Sequence, residues 1–346
     1  MYNITILIGT RPNYIKAYPI YEAFKKHNAH VSVIDSGQHW DKQMIEHAFG
    51  DWGMPIQHLN LHGSSREQIR DAAYACIADN PKPIDFAIVI GDTNSTLGFA
   101  WALKQHGIPF AHVEAGLRSG NWKMEEEFNR FVVDHLADIN FATEPQAMYN
   151  IPWHTGLHVG NVLMDALGTI VKFLGWWGGE QYGILATLHR RENLNDENVN
   201  RLLTELNKDR GVPVTVVIHP HFIAKFPGIH TSYKNINFVS PMPYFDFIRL
   251  MLSSKLVVTD SGGGATEAFA LNIPCLVYRK QYEHKTCSGP MFIVSDTNIG
   301  KSIDNLLKQS TKAEFNNIPF WSDGHASYRV ASEIISYLDR RRNANI

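Results

Sequence analysis

Little in this sequence marks a secreted, membrane-bound or nucleic-acid-binding protein. Cysteine is scarce: Cys76, Cys275 and Cys287 are three in 346 residues. They are odd in number, far apart and without a C-x-x-C pair, which argues against a disulfide framework and a structural zinc site. No window approaches the ~18 uninterrupted apolar residues of a membrane span. No charged region followed by a long apolar run opens the chain. The expectation is a soluble, cytoplasmic protein with no membrane partner. An excess of one charge is lacking too, since 34 Asp and Glu face 32 Lys and Arg. Apart from the short Glu125–Glu127 and Arg340–Arg342 clusters there is no run of like charge, which argues against a nucleic-acid partner or a membrane-surface helix. Neither half carries G-x-G-x-x-G after its first strand, so no dinucleotide cofactor is expected. H-E-x-x-H and the G-x-S-x-G nucleophile elbow are missing as well. Seventeen histidines include His219 and His221 around Pro220, but no His/Cys cluster has ligand spacing, and no metal is expected.

What is present is one unit repeated. Ile4–Ile8 is an apolar run of strand length. It is followed by GTRPNYIK and by a segment, Tyr14–Lys26, with apolar residues at helical spacing. Strand, glycine turn and helix make the first unit of a parallel α/β domain. Strands at His30–Ile34, Phe86–Ile90, Pro109–Val113, Ile139–Thr143 and Leu157–Val159 continue the pattern, with helices at 43–49, 66–78 and 95–106. Leu174–Glu180, with three glycines, breaks the periodicity as a linker would. A second series follows, with strands at Tyr182–Thr187, Val214–Ile218, Ile236–Val239, Leu256–Thr259 and Pro274–Val277 and a closing amphipathic helix at Val330–Leu338. Two α/β domains with polar loops at their strand ends make a cleft between them the expected ligand site.

Chemistry gathers at those strand ends, where open α/β sheets place their ligands. Glu114 stands at the end of the Pro109–Val113 strand, and Asp92 follows Gly91 at the end of Phe86–Ile90. Glu125–Glu127 precede Asn129-Arg130 at a helix start, where acids also serve only to complement the helix dipole. Gly9–Pro12 and Lys16 offer a glycine turn with two cations suited to phosphate; surface positions explain Arg11 and Lys16 equally well. Asp260-Ser261-Gly262-Gly263-Gly264 is a stronger signal, because glycines at a strand-to-helix turn expose backbone N–H groups to a diphosphate. The competing reading is a glycine loop whose Asp or Ser caps the helix. Glu267, a turn further on, suits the two hydroxyls of a ribose. His189-Arg190-Arg191 adds an imidazole and two guanidiniums from the second half. Three acids, Asp92, Glu114 and Glu126, held near His189 would push their pKa values apart, as proton transfer requires.

GTRPNYIK, SGQH, GDTNSTL, HVEAGLRSGNWKMEEEFNR, GN…DAL, LHRREN and TDSGGGATEA resemble the UDP-N-acetylglucosamine 2-epimerase family, in that family's order and from about residue 4 to 285. The resemblance implies the GT-B fold, with two Rossmann-like doubly wound parallel-sheet domains and an interdomain cleft. The domains would be 1–172, 173–325 and a C-terminal helix, 326–346, packing back on the first. It implies an isomerase of polysaccharide biosynthesis that needs no cofactor and interconverts UDP-GlcNAc and UDP-ManNAc. UDP would leave to give a glycal-type intermediate and then add back. Carried over by motif, Asp92, Glu114, Glu126 and His189 are the catalytic residues. Arg11, Lys16, Arg118, Arg130, His189, Arg190, Ser261, Gly262, Gly263 and Glu267 bind the UDP-sugar substrate, and a homodimer is expected. Thr93 stands where hydrolysing members tend to carry arginine, which implies the non-hydrolysing branch. Gln38, His39 and His219 are candidates for a second nucleotide-sugar site, which Trp40-Asp41 do not match. Glu125 replaces a usual proline, and Gln281–Thr286 replaces a TERPE-like loop. The alternatives are a GT-B glycosyltransferase using a UDP sugar and an inactive nucleotide-sugar binding protein.

Overall fold

The computed structural model describes residues 1–38, 53–61, 65–80, 82–175, 180–190, 193–218, 220–309, 313–315, 318 and 321–344. The expected helix at 43–49, His39, Trp40-Asp41, Arg191 and His219 lie outside the described residues. The chain divides into two compact units, 1–166 with 318–346 and 167–317.

In the first unit the strands are β1 (Asn3–Ile8), β2 (His30–Asp35), β3 (Ile56–His58), β4 (Phe86–Ile90), β5 (Phe110–Ala115), β6 (Ile139–Ala142) and β7 (Gly156–His158). They form one parallel sheet in the order β3-β2-β1-β4-β5-β6-β7. The helices are α1 (Arg11–Lys26), α2 (Arg66–Ala78), α3 (Asn94–Gln105), α4 (Glu125–Leu136) and α5 (Val162–Phe173), the last running across the division. β4 and β5 are buried at every position. That is why they read as continuous apolar runs rather than as alternating strands. The strand order reverses direction between β1 and β4, so the turns after these two strands diverge and leave a crevice at their carboxyl ends.

The second unit repeats this plan. β8 (Ile184–Leu188), β9 (Val214–Ile218), β10 (Ile236–Val239), β11 (Leu256–Thr259), β12 (Cys275–Val277) and β13 (Phe292–Val294) pair in the order β10-β9-β8-β11-β12-β13. Its helices are α6 (Asp196–Leu206), α7 (Pro220–Lys225), α8 (Tyr244–Leu252), α9 (Gly262–Ala270) and α10 (Ile299–Leu307). The reversal lies between β8 and β11. Two doubly wound parallel sheets agree with the fold class expected from sequence.

The closing helix, α11 (Ala326–Ala344), packs on α1. Tyr2 Oη donates to Asp339 at 2.7 Å, His27 stacks on Tyr328, and Tyr337 meets the edge of Phe86. Asp165 of α5 caps its start by accepting from the amides of Ala326 and Ser327, at 3.4 and 2.7 Å. Helix α1 begins three residues before the Tyr14–Lys26 periodicity, because Pro12 sits in its first turn, where no amide hydrogen is needed.

Candidate functional site

In the first unit, four elements bring polar side chains to the carboxyl edge of the sheet. The β1–α1 turn is tied down by Asn13, which accepts from Thr10 Oγ1 and donates to the Ile90 carbonyl at 2.5 Å. One turn further along α1, Lys16 Nζ lies 2.5 Å from Glu114 Oε2, and both side chains are nearly buried. Strand β5 does not stop before Glu114, as the apolar run suggests. It continues to Ala115 through a register shift between Val113 and Ala115. Glu114 sits in that bulge at φ +71°. A side chain there costs about 1–3 kcal/mol, and such strain clusters where it serves a function.

Asp92 follows Gly91 at the end of β4. Its carboxylate is gripped by Arg130 of α4, and its carbonyl accepts from Asn129 at 3.0 Å. A methyl group on Gly91 would come within 3.7 Å of Glu114 Oε2, which places that carboxylate beside the Gly91-Asp92 turn. Asp92 and Glu114 are therefore each held against a cation. The triple acid divides. Glu125 is exposed and within reach of Arg66 and Asn94. Glu127 is 2 % exposed and accepts from Ser119 and Gly120, fixing the loop before α4. Glu126 lies on the exposed side of the first turn, and among the described residues no hydrogen bond links it to Asp92 or Glu114. Arg118 turns inward: it donates to Asp134 at 2.7 Å and to the carbonyls of Leu117 and Asn150. Gln38 accepts from the amide and hydroxyl of Ser95 at the start of α3.

In the second unit, Asp260 at the end of β11 is the organising group. Fully buried, it accepts from the amides of His189 and Arg190 and from Asn193 Nδ2, and it lies 3.1 Å from His189 Nδ1. Holding Nδ1 in this way leaves Nε2 of the half-exposed imidazole for a ligand. Ser261 is the N-cap of α9 and accepts from Gly264 at 3.1 Å. That leaves the Gly262 and Gly263 amides among the first-turn N–H groups outside the helical ladder. Glu267 is buried and accepts from Tyr244 Oη. The 281–286 segment packs against this turn. Tyr282 Oη donates to the Gly262 carbonyl at 3.0 Å, and Glu283 pairs with Arg279 at 2.8 Å. A Cβ on Gly262 would lie 2.9 Å from Glu283 Oε1, so only glycine allows that carboxylate so close. Arg190 reaches to 3.8 Å of the same oxygen.

Sequence reasoning gave no site role to Asn13, His112, Glu127, Asn129 and Asp134, and it read Asp260 only as a possible cap. A signal existed for one of them: Asp134 lies four residues after Arg130, on the same helical face as that candidate site residue.

Burial pushes Asp260 and Asp134 up, but hydrogen bonds and charge from His189, and from His112 and Arg118, outweigh it and hold both carboxyls below the ordinary aspartate range. The stability they contribute is present above the unfolded-state pKa and lost as pH falls through the folded value. In thermal melts, Tm is expected to hold down to about pH 5 and to fall steeply below about pH 4. The fall should be shallower in Asp134→Asn, whose Tm is already lower at neutral pH. A Tm that rises on acidification would contradict this sign.

The family model described as UDP-N-acetylglucosamine 2-epimerase matches residues 22–335. A UDP-2,3-diacetamido-2,3-dideoxy-D-glucuronate 2-epimerase of Pseudomonas aeruginosa is 34 % identical over 95 % of this chain and 98 % of its own. A UDP-N-acetylglucosamine 2-epimerase of Methanococcus maripaludis is 32 % identical over 89 % of this chain and 90 % of its own. The crystal structure of the Methanocaldococcus jannaschii UDP-GlcNAc 2-epimerase in complex with UDP-GlcNAc and UDP superposes with a TM-score of 0.84 at 28 % identity, covering 97 % of this chain and 99 % of that one. With strand-end carboxylates in one sheet and a glycine-rich helix start in the other, this chain belongs to the UDP-N-acetylglucosamine 2-epimerase family.

Proposed function

We propose that the chain inverts C2 of a UDP-linked 2-acetamido sugar, interconverting UDP-GlcNAc and UDP-ManNAc. The observation that carries this reading is the pair of carboxylates, Asp92 and Glu114, at the ends of adjacent strands β4 and β5, each against its own cation. Inversion needs a base on one face of C2 and an acid on the other. A carboxylate takes the C2 proton while the C1–O bond to UDP breaks, which leaves a C1=C2 double bond. A second acid then delivers a proton to the opposite face of C2 as the diphosphate oxygen re-forms its bond to C1. Asp92, Glu114 and Glu126 are assigned these transfers.

The leaving diphosphate carries the new negative charge. The Gly262 and Gly263 amides, His189 Nε2 and Arg190 are assigned to it in the second unit, and Arg11, Lys16 and Arg130 in the first. Buried Glu267 is assigned to the ribose. The working assembly is a cytoplasmic homodimer.

The test is incubation with UDP-GlcNAc and, separately, UDP-ManNAc, with products separated by chromatography. The same epimer mixture is expected from both sides. No conversion of either, together with transfer of the sugar to an added acceptor, would favour a glycosyltransferase; binding without turnover would favour a non-catalytic protein. UDP-2,3-diacetamido-2,3-dideoxy-D-glucuronate belongs in the panel, since the Pseudomonas relative carries that substrate in its name. Asp260→Asn is expected to lower turnover about tenfold or more, the scale of a lost orienting carboxylate, because Asn can present its amide to His189 Nδ1 and favour the other tautomer. Unchanged turnover in the folded variant would remove His189 from the chemistry.

A further inference from the structure

The proposed acids share an anchor that touches neither of them. His112, two residues before Glu114 on β5, is completely buried. Its Nδ1 lies 2.7 Å from Asp134 Oδ1 and its Nε2 2.7 Å from the Gly91 carbonyl. Both ring nitrogens are thus within hydrogen-bond reach of an oxygen. On the far side of Glu114, the Gly116 amide donates to both oxygens of Asp134, at 3.3 and 3.1 Å. Arg118 donates to Asp134 Oδ2 at 2.7 Å and to the Leu117 and Asn150 carbonyls, and Asn150 Nδ2 returns a bond to the Gly116 carbonyl at 2.8 Å. Asp134, completely buried on α4, therefore grips the chain on both sides of the Glu114 bulge. Arg130, one turn earlier on the same helix, grips Asp92. Through His112, Asp134 is also linked to the residue that precedes Asp92.

We propose that His112, Asp134 and Arg118 are positioning residues that hold Glu114 in its left-handed conformation and set its place relative to Asp92. The inference rests on the proposed C2 chemistry. It also gives Arg118 a different task from the substrate binding that the family resemblance implies. A bulge residue at positive φ relaxes to extended backbone unless its neighbours are fixed. Relaxation would turn the carboxylate away while leaving the nucleotide-binding groups of the second unit unaffected. A misplacement of about 1 Å at a reacting group costs on the order of 100-fold in rate.

Two substitutions separate the bonds of His112. In His112→Asn the amide can still reach Asp134 but not Gly91; in His112→Gln it can reach Gly91 but not Asp134. Arg118→Lys keeps the charge beside Asp134, loses the fork to the two carbonyls, and provides a variant nearer the surface should the buried ones not fold. Each folded variant is expected to lose about 10- to 100-fold in kcat, with the UDP Kd within about twofold of the parent. If Arg118 instead binds the substrate, Arg118→Lys raises KM and the UDP Kd together, and the proposal fails for that residue. A kcat within twofold of the parent in the folded His112 variants overturns it for the network. Hydrogen exchange at the Gly116 amide gives a readout apart from activity: its bonds to Asp134 are expected to protect it in the parent, and fast exchange there would overturn the geometry on which the inference stands. An inert parent enzyme would defeat the proposed function, whereas the Gly116 amide would still decide the network.

Discussion

Asp92→Asn or Glu114→Gln is expected to abolish exchange of the sugar C2 proton while leaving UDP binding no weaker than in the parent. Each substitution keeps the size of the side chain and removes its ability to accept a proton. General acid–base catalysis by one group is worth about 10²- to 10⁴-fold, so turnover should fall by about 10³-fold or more, which corresponds to about 4 kcal/mol in the barrier. Binding should survive because these two carboxylates repel a diphosphate. In the present structure they also occupy Lys16 and Arg130, two of the cations assigned to it. Removing a carboxylate frees its cation, so a modest tightening of UDP is the natural direction. Stopped-flow or steady-state kinetics with calorimetric UDP titration checks both halves. Full activity in both variants would show that the acids had been assigned wrongly.

The second large effect concerns stability. Gly116 lies at φ +78°, and a Cβ built on it would sit 2.2 Å from the Ala147 carbonyl oxygen and 2.8 Å from Ile151 Cγ1. The near contact is backbone, which cannot swing aside as a long side chain can. Positive φ costs a non-glycine residue about 1–2 kcal/mol, and overpacking adds about 1–3 kcal/mol. Gly116→Ala should therefore lose about 2–5 kcal/mol, lowering Tm by about 4–20 °C for a domain of this size. Gly120 is the control. It has a similar φ, +73°, but nothing lies within 4 Å of its added Cβ. Gly120→Ala should cost only the conformational part. Equal losses in the two variants would mean that the close approach to Ala147 does not matter.

The central strands and the motifs at their ends were legible because burial on both faces makes a parallel strand an unbroken apolar run. β1, β4 and β11 fall within a residue or so of where those runs lie. The edge strands β3 and β13 are three residues each and too short to carry any period. Helix α10 did carry one, in buried Ile299, Ile303 and Leu306, but it lies beyond the motif-rich part of the chain. Glu114 shows a different limit. Its position at a strand end could be read, but its left-handed backbone could not, because that conformation is imposed by Asp134 twenty residues away. In the same way, the triple acid offered three equivalent carboxylates until helix phase buried Glu127 and left Glu126 outside. Phase depends on where the helix starts, and a residue's error in that start moves each side chain by about 100°.

The most direct test of the account follows the fate of one hydrogen. Incubated with UDP-GlcNAc in D2O and observed by proton NMR, the enzyme should replace the C2 proton with deuterium in both the gluco and the manno epimer. Every manno molecule formed from UDP-GlcNAc should carry deuterium at C2. If UDP-ManNAc appears with its original C2 proton in place, or if no exchange occurs with any UDP-linked 2-acetamido sugar, the strand-end carboxylates do not do the chemistry assigned to them.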